Sequence, residues 1–297
     1  MRYLKALEFI DTVARVGSIR KAAEQLAITS TALNRRVLAI EEELGVPIFE
    51  RLPGGVRLST AGELFLQYAR DQLADAARLR SRIADLSGER RGHVNIAGGQ
   101  ACLQNFLPAL IAEYRRDHPD VTFSLRTCDR FGAELALSEY RADIVVLHEA
   151  EWSPSLRIVA EQAQRIHLLC HESHPLASHS VVRLRDCLQY PVALPTQSNG
   201  VRLLLERAAA RLRQPLPVAI ESDNFGCLSH CLADGEMLSF QIAIALDETV
   251  HASSLRQVPV DVQDLPGGRL CAGHLRDRTL PVAASRFLER LVQRWSG

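Results

Sequence analysis

Between Gly17 and Leu44 the chain reads GSIRKAAEQLAITSTALNRRVLAIEEEL, two short apolar periodicities separated by too few residues for anything but a tight turn. Ser18 can cap a first helix whose inward positions are Ile19, Ala22, Ala23 and Leu26, and the adjacent alanines let another helix cross closely. The chain then turns at Ala27 and Ile28. Thr29 or Ser30 can cap a second helix in which Leu33, Val37, Ile40 and Leu44 form one apolar stripe. On the other side, near its start, lie Ser30, Thr31, Asn34 and Arg35. Their hydroxyl, amide and guanidinium groups make a polar surface of the size that enters a major groove and reaches base edges. Arg20, Lys21 and Arg36 flank that surface and suit phosphates.

A charged helix face is commonly no more than solvated surface, so the surroundings decide. Before the pair, Tyr3 to Val16 supplies Leu7, Ile10, Val13 and Ala14, enough to complete a three-helix core. After it, VPIFERLPGGVRLS reads as strand, turn, strand, with Pro53-Gly54-Gly55 as the turn and Arg51 and Arg57 beside it. Such a wing can lie along a sugar-phosphate backbone. From Ser59 to Leu86 one long helix follows, with Leu66, Ala69, Leu73, Ala76, Leu79, Ile83 and Leu86 recurring at steps of three or four. A seam of that length wants a partner beyond the small head. SGERRG, Ser87 to Gly92, then reads as a hinge.

From His93 onward apolar strands (HVNIA, VTFSLRT, DIVVL, IHLLC, PVALP, PVAIE) alternate with helical stretches at Leu103 to Arg116, Arg202 to Leu212 and Phe225 to Ala233, which predicts α/β structure with mostly parallel strands. Ligands of such sheets bind where strands end and helices begin, because backbone amides and the helix dipole favour an anion there. Three such junctions stand out: Gly98-Gly99-Gln100-Ala101, Thr196-Gln197-Ser198-Asn199, and Ser222-Asp223-Asn224. A small carboxylate between the first two would take hydrogen bonds from Gly99, Gln100, Thr196 and Ser198. The competing reading of Thr196 and Ser198 is plain helix capping.

The segment GSIRKAAEQLAITSTALNRRV, followed by EEELGVPIFER and VRLSTAG, resembles the N-terminal winged helix-turn-helix of the LysR-type transcriptional regulators, in order and without gaps. Ser30 and Thr31 stand where that family commonly has Gln and Pro, Asn34 where Ser is frequent, and Ile19 where an aromatic is common. The rest is similar to the family's effector domain, FLPALIAEYRRDHPDVTFSL and HPLA at His174 to Ala177 being the clearest stretches. The resemblance implies an α/β chain with an all-α-type head: a winged helix-turn-helix (1–58), a dimerising linker helix and hinge (59–91), and a two-lobed periplasmic-binding-protein-like effector domain (92–297). Lobe I would take 92–161 and 266–297, and lobe II 162–265. Paired crossover strands would join the lobes.

The implied partners are double-stranded DNA, a small-molecule effector and further copies of the chain, as homodimer or homotetramer, with RNA polymerase left open. The DNA-contacting set is then Arg20, Lys21, Thr29, Ser30, Thr31, Asn34, Arg35, Arg36, Arg51 and Arg57. The effector set is Gly99, Gln100, Ala101, Thr196, Gln197, Ser198, Asp223, Asn224 and Phe240. Phe240 enters because the loop beyond Gly235, with Met237 and Ser239-Phe240-Gln241 in place of the usual second glycine and Leu-Pro, commonly borders the cleft.

Composition sets limits on other readings. Length and 47% apolar content allow about two domains, and the formal net charge is zero, so DNA affinity must come from clustered arginines and doubling rather than a bulk basic field. No signal peptide and no apolar run of about 18 residues is visible, which predicts a soluble, cytoplasmic protein without membrane contact. Seven irregularly spaced cysteines fit reduced thiols. Gly98-Gly99-Gln100 lacks the third glycine and acidic partner of a dinucleotide fingerprint, and no GK[ST] phosphate loop occurs.

His167 and His171 would share a strand face from which Cys170 points away, so no metal site is expected among them and His174. Cys227 and Cys231, near His230, read as small buried hydrophobes rather than a redox pair. No nucleophile elbow or nucleophile–base motif supports an enzyme, and no cofactor is called for. The alternative to a regulator is a solute-binding or enzymatic α/β protein carrying the head as an adaptor.

Overall fold

A computed structural model describes residues 2–86, 92–149, 152–245 and 254–296, which form two compact units, Met1–Ser87 and Gly88–Gly297. The hinge Ser87 to Gly92 lies outside the described residues except for Gly92 itself.

The first unit packs α1 (Arg2–Val16), α2 (Ile19–Gln25) and α3 (Ser30–Leu44) around Ile10, Val13, Ala22, Ala23, Leu33 and Val37, all fully or nearly fully buried. Ser18 caps α2 by accepting from the Lys21 N–H, and Thr29, rather than Ser30, caps α3 by accepting from the Ala32 N–H at 3.2 Å. Between them Ile28 N–H bonds Ala23 O and Ala27 N–H bonds Glu24 O, the paired arrangement that ends a helix through one left-handed residue. That residue is Ala27, at φ 54°. The expected stripe on α3 stops early: Ile40 is half-buried and Leu44 is exposed, because Glu41 takes over the final turn. Its carboxylate accepts from the N–H groups of Ile48 and Phe49 at 2.8 and 2.9 Å and so ties the next strand to the helix.

That strand, β1 (Phe49–Leu52), pairs antiparallel with β2 (Gly55–Leu58) through a two-residue turn at Pro53-Gly54, so Gly55 belongs to the strand and not to the turn. Val56 N–H bonds Gly17 O at 2.9 Å, which docks the wing on the α1–α2 corner. The linker helix is α4 (Thr60–Leu86). Its first half is covered by α1, with Leu66 and Ala69 buried and an Arg70–Asp11 ion pair at 2.8 Å, whereas Leu79 and Ile83 are half exposed. Among the described residues no helix is long and apolar enough to cross a membrane.

The second unit contains β3 (Gly92–Gly98), α5 (Gln100–Gln104), α6 (Phe106–Asp117), β4 (Val121–Thr127), α7 (Arg130–Ser138), β5 (Ile144–Glu149), β6 (Leu156–Gln164), β7 (Ile166–His171), α8 (Leu184–Cys187), β8 (Val192–Leu194), α9 (Gly200–Leu212), β9 (Val218–Glu221), α10 (Phe225–His230), β10 (Ser239–Ile242), β11 (Leu255–Pro259), β12 (Gly268–Leu275) and α11 (Val282–Ser296). The helix expected from Leu103 to Arg116 is two helices broken at Asn105, and the one expected to reach Ala233 ends at His230.

One sheet runs β4-β3-β5-β12-β6 and another β10-β7-β11, with β8 and β9 paired alongside through a bridge from Val192 to Leu238. The strands are mixed rather than mostly parallel: β3 pairs in parallel with β4 and β5, and β8 with β9, but β12 is antiparallel to β5 and β6, and β7 to β10 and β11. The chain passes between lobes from β6 to β7 and from β11 to β12, all four of them antiparallel to a neighbour. Each lobe has its own core, built around Phe287, Leu107 and Ile144 in one and around Phe240, Leu168 and Leu205 in the other.

An L-residue in the left-handed region costs roughly 1–2 kcal/mol, partly offset in glycine by its freer unfolded chain. Ala27→Gly should therefore stabilise the α2–α3 corner by about 0.5–1 kcal/mol net. In hydrogen exchange on the full chain, the α2 and α3 amides should exchange roughly 2- to 5-fold more slowly than in the parent; unchanged or faster exchange would refute the effect.

Candidate DNA-reading surface and effector cleft

Because α3 buries Leu33 and Val37, its first turn necessarily turns Ser30, Thr31 and Arg35 outward, and all three are exposed. Arg20 and Lys21 on α2 are also exposed, Arg20 lying 4.0 Å from Glu24. Asn34 is half-buried, and its amide oxygen accepts from Arg51 Nη2 at 2.9 Å, so strand β1 steadies the reading helix. Arg36, expected at phosphates, lies over the Phe9 ring at 5.0 Å and is partly committed to the head's own packing. Arg57 is paired across the wing with Glu50, at 3.1 and 2.5 Å, and that carboxylate raises the guanidinium's already high pKa. Thr29 is a cap.

In the second unit the strand ends converge on a cleft of about 290 Å³, at the small end for ligand sites. Of the sequence-derived effector residues, Gly99, Gln100, Ala101, Thr196, Ser198 and Asp223 line it. Gln197 and Asn224 do not; Asn224 caps α10 by accepting from the Cys227 N–H. Phe240 does not either. It is wholly buried in the lobe's core on β10, because a strand residue between two apolar layers packs inward whatever borders the preceding loop. Capping of α9 falls to Asn199, whose side chain accepts from Val201 N–H at 2.9 Å, so Thr196 and Ser198, which line the cavity, are not its cap. Gln100 does something the sequence did not suggest: its Oε1 accepts from the Phe225 N–H at 2.8 Å, bridging the two lobes.

Further lining residues, Thr127, Cys128, Asp129, Pro195 and His148, escaped the sequence reading, while Asn199, which also lines the cleft, belongs to a junction that it named. The first three follow β4, a junction whose helix begins with the Asp129 cap onto Gly132 N–H, a signal legible in Cys-Asp-Arg-Phe-Gly. His148 ends an apolar strand and gave no signal. It is 8% exposed, and among the described residues neither ring nitrogen has a hydrogen-bond partner. It is gripped by two glycines: a Cβ on Gly200 would meet the His148 carbonyl oxygen at 2.2 Å, and one on Gly268 would meet Nε2 at 2.4 Å. Burial pushes the imidazole down to about 4, so it is neutral at pH 7.

Elsewhere, Cys170 is buried in a core, His171 Nδ1 meets the Ser173 hydroxyl at 2.7 Å, and His174 Nδ1 accepts from Leu176 N–H. The expectation that Cys227 and Cys231 are small buried hydrophobes is corrected. Cys227 is exposed and Cys231 half-buried, since the short α10 turns only Phe225 and Leu228 inward.

Two family models cover nearly the whole chain: "Bacterial regulatory helix-turn-helix protein, lysR family" over residues 4–63 and "LysR substrate binding domain" over residues 87–296. The chain belongs to the LysR family of DNA-binding transcriptional regulators with an effector-binding domain. Among its relatives is the HTH-type transcriptional activator CmpR of Synechocystis sp., 24% identical over 97% of this chain and 94% of that one. Full-length OxyR from Pseudomonas aeruginosa shares the fold at a TM-score of 0.73 and 20% identity, covering 98% of this chain and 93% of that one. The effector-binding domain of QuiR, in complex with shikimate, matches at 0.59 and 15% identity over 69% of this chain and 98% of that one.

The unfolded chain protonates His148 near pH 6.5 while the folded chain does so only near pH 4, so between those values the unfolded state binds more protons and stability falls with pH. The loss should reach about 3 kcal/mol by pH 4. Urea denaturation of the full chain, followed through the second unit, should show a shallower decline between pH 6.5 and 4.5 in His148→Leu than in the parent. Equal slopes would contradict the assignment.

Proposed function

We infer that this regulator reads operator DNA with the outward face of α3, using Ser30, Thr31, Asn34 and Arg35 toward bases. Arg20, Lys21, Arg51 and Arg57 act on phosphates, with a lesser contribution from Arg36. Thr29 holds the start of the helix. The observation that carries this reading is the arrangement of exposed hydroxyl and guanidinium groups on the first turn of a helix whose opposite face is sealed by Leu33 and Val37.

The division into head (1–58), linker and hinge (59–91) and two-lobed effector domain (92–297) follows the change from helical head to α/β sheets. The apolar Leu79 and Ile83 on α4 support pairing with a second copy of the chain. The effector is a small carboxylate-bearing molecule whose acid group lies at the N-terminus of α9, near Thr196 and Ser198. Gly99, Gln100 and Ala101 close the other wall. The relative QuiR holds shikimate, itself a carboxylate.

Mobility shifts on the DNA flanking the protein's own gene test the regulator directly. Arg35→Ala should lose about 1–3 kcal/mol of preference at one base position, broadening the motif returned by binding-site selection. Arg57→Ala should instead weaken all sequences alike and lower the salt slope by about 1. An unchanged motif for Arg35→Ala would remove its role in reading. For assembly, Leu79→Asp with Ile83→Asp should lower the sedimentation coefficient of the full chain; an unaltered assembly would exclude pairing through this seam.

A further inference from the structure

The cleft is electrically polarised, and the sheet order shows which way. In one lobe the strand ends run β4, β3, β5; in the other β9 lies outside β8. Gln100, after β3, bonds Phe225, after β9, while His148 at the end of β5 is pressed against Gly200 at the start of α9, which follows β8. Asp129, beyond β4, and Asp223, beyond β9, therefore share one end of the cavity, one from each lobe. The other end holds the N-terminus of the 13-residue α9 and its Asn199 cap. Both carboxylates line the cavity, and among the described residues that line it none is Lys or Arg.

Two carboxylates without a basic side chain repel a second acidic group and attract a cation. A monocarboxylate alone would satisfy only the α9 end. Asp129 uses Oδ1 to cap α7 through Gly132 N–H at 2.8 Å, which fixes the carboxylate while its second oxygen is not spent on that cap. We propose that the cleft takes a small zwitterionic amino acid, its carboxylate at the N-terminus of α9 beside Thr196 and Ser198, and its ammonium between Asp129 and Asp223. The proposal rests on the effector reading above and narrows it.

Thermal shift followed by isothermal titration of the full chain tests it, with the common L-α-amino acids and short ω-amino acids as probes, each paired with its deaminated acid. At least one amino acid should bind at least about tenfold more tightly than its deaminated partner, a gap of about 1.4 kcal/mol. The double variant Asp129→Asn with Asp223→Asn keeps an efficient cap residue at position 129. It should abolish that preference while leaving the deaminated acid's affinity equal or improved. Overturning results are a deaminated acid that binds as well as its amino partner, an amino acid whose affinity ignores the double variant, or no binding anywhere in the panel. A deaminated acid that binds as tightly as its amino partner and is weakened by Thr196→Ala would sink the ammonium site and leave the carboxylate cleft standing. Failure of every probe beside an intact mobility shift would leave the regulator standing.

Discussion

The antiparallel pairing of β6 with β12 is the constraint on which the second unit depends. Residues Leu156 to Gln164 are in register with Gly268 to Leu275, and at the lobe boundary each strand leads into the other lobe, β6 onward to β7 and β12 back from β11. Gly267 makes the close turn possible: at φ 78° it lies in the left-handed region, and a Cβ there would meet Gln164 O at 2.3 Å. The Gln164 side chain, buried at the same point, accepts from Ile244 N–H at 3.2 Å. With both crossings pinned together, the lobes can rotate about this pair but cannot slide along it, and the strand ends on either side are held facing one another.

The head solves a similar problem on a smaller scale. A reading surface must be rigid before it meets DNA, or the ordering of its side chains is charged against affinity. Here the first turn of α3 is fixed by Thr29, the last by Glu41, and Asn34 in between by Arg51. The wing is thus part of the reading helix's support, and Arg51 couples a strand side chain to a helix amide. That coupling is specific to a chain carrying Asn at position 34, where a shorter serine would fall short of the guanidinium.

The order of elements in the head, and six strands and three helical stretches of the second unit, were legible because they rest on periodicity and capping: Ala22-Ala23, the Leu33–Val37 step and the strand runs each act locally. What was not legible depends on pairing between distant segments. Strand direction is one such property, since an apolar run looks alike in parallel and antiparallel neighbours, and β12 was not among the strands read from sequence. Phe240 is another. It was placed at the cleft by resemblance to a loop, whereas its burial is set by β7 beside it. His148 sits at the end of an ordinary core strand, and only Gly200 and Gly268, 52 and 120 residues further on, make it a cleft residue. The junctions after β3 and β8 were found because glycines and hydroxyls mark them; the junction after β4 went unnoticed, since Thr-Cys-Asp-Arg carries only a cap signal.

Allosteric response in such a molecule is bounded by how differently a ligand contacts the open and closed arrangements of the lobes. The Gln100–Phe225 hydrogen bond and the His148 contact already hold the lobes together at both ends of the cleft, so part of the free energy of closure resides in the protein itself. A ligand that only filled the space would shift the lobes little. One that bridges them does more, because each lobe contributes polar groups that the other cannot satisfy: Asp129 and the α5 junction from one, Thr196, Ser198 and Asp223 from the other. A ligand that engages both lobes at once gains affinity for the closed arrangement specifically. By reciprocity, any operator that favours that arrangement must raise the affinity of the cleft by the same factor.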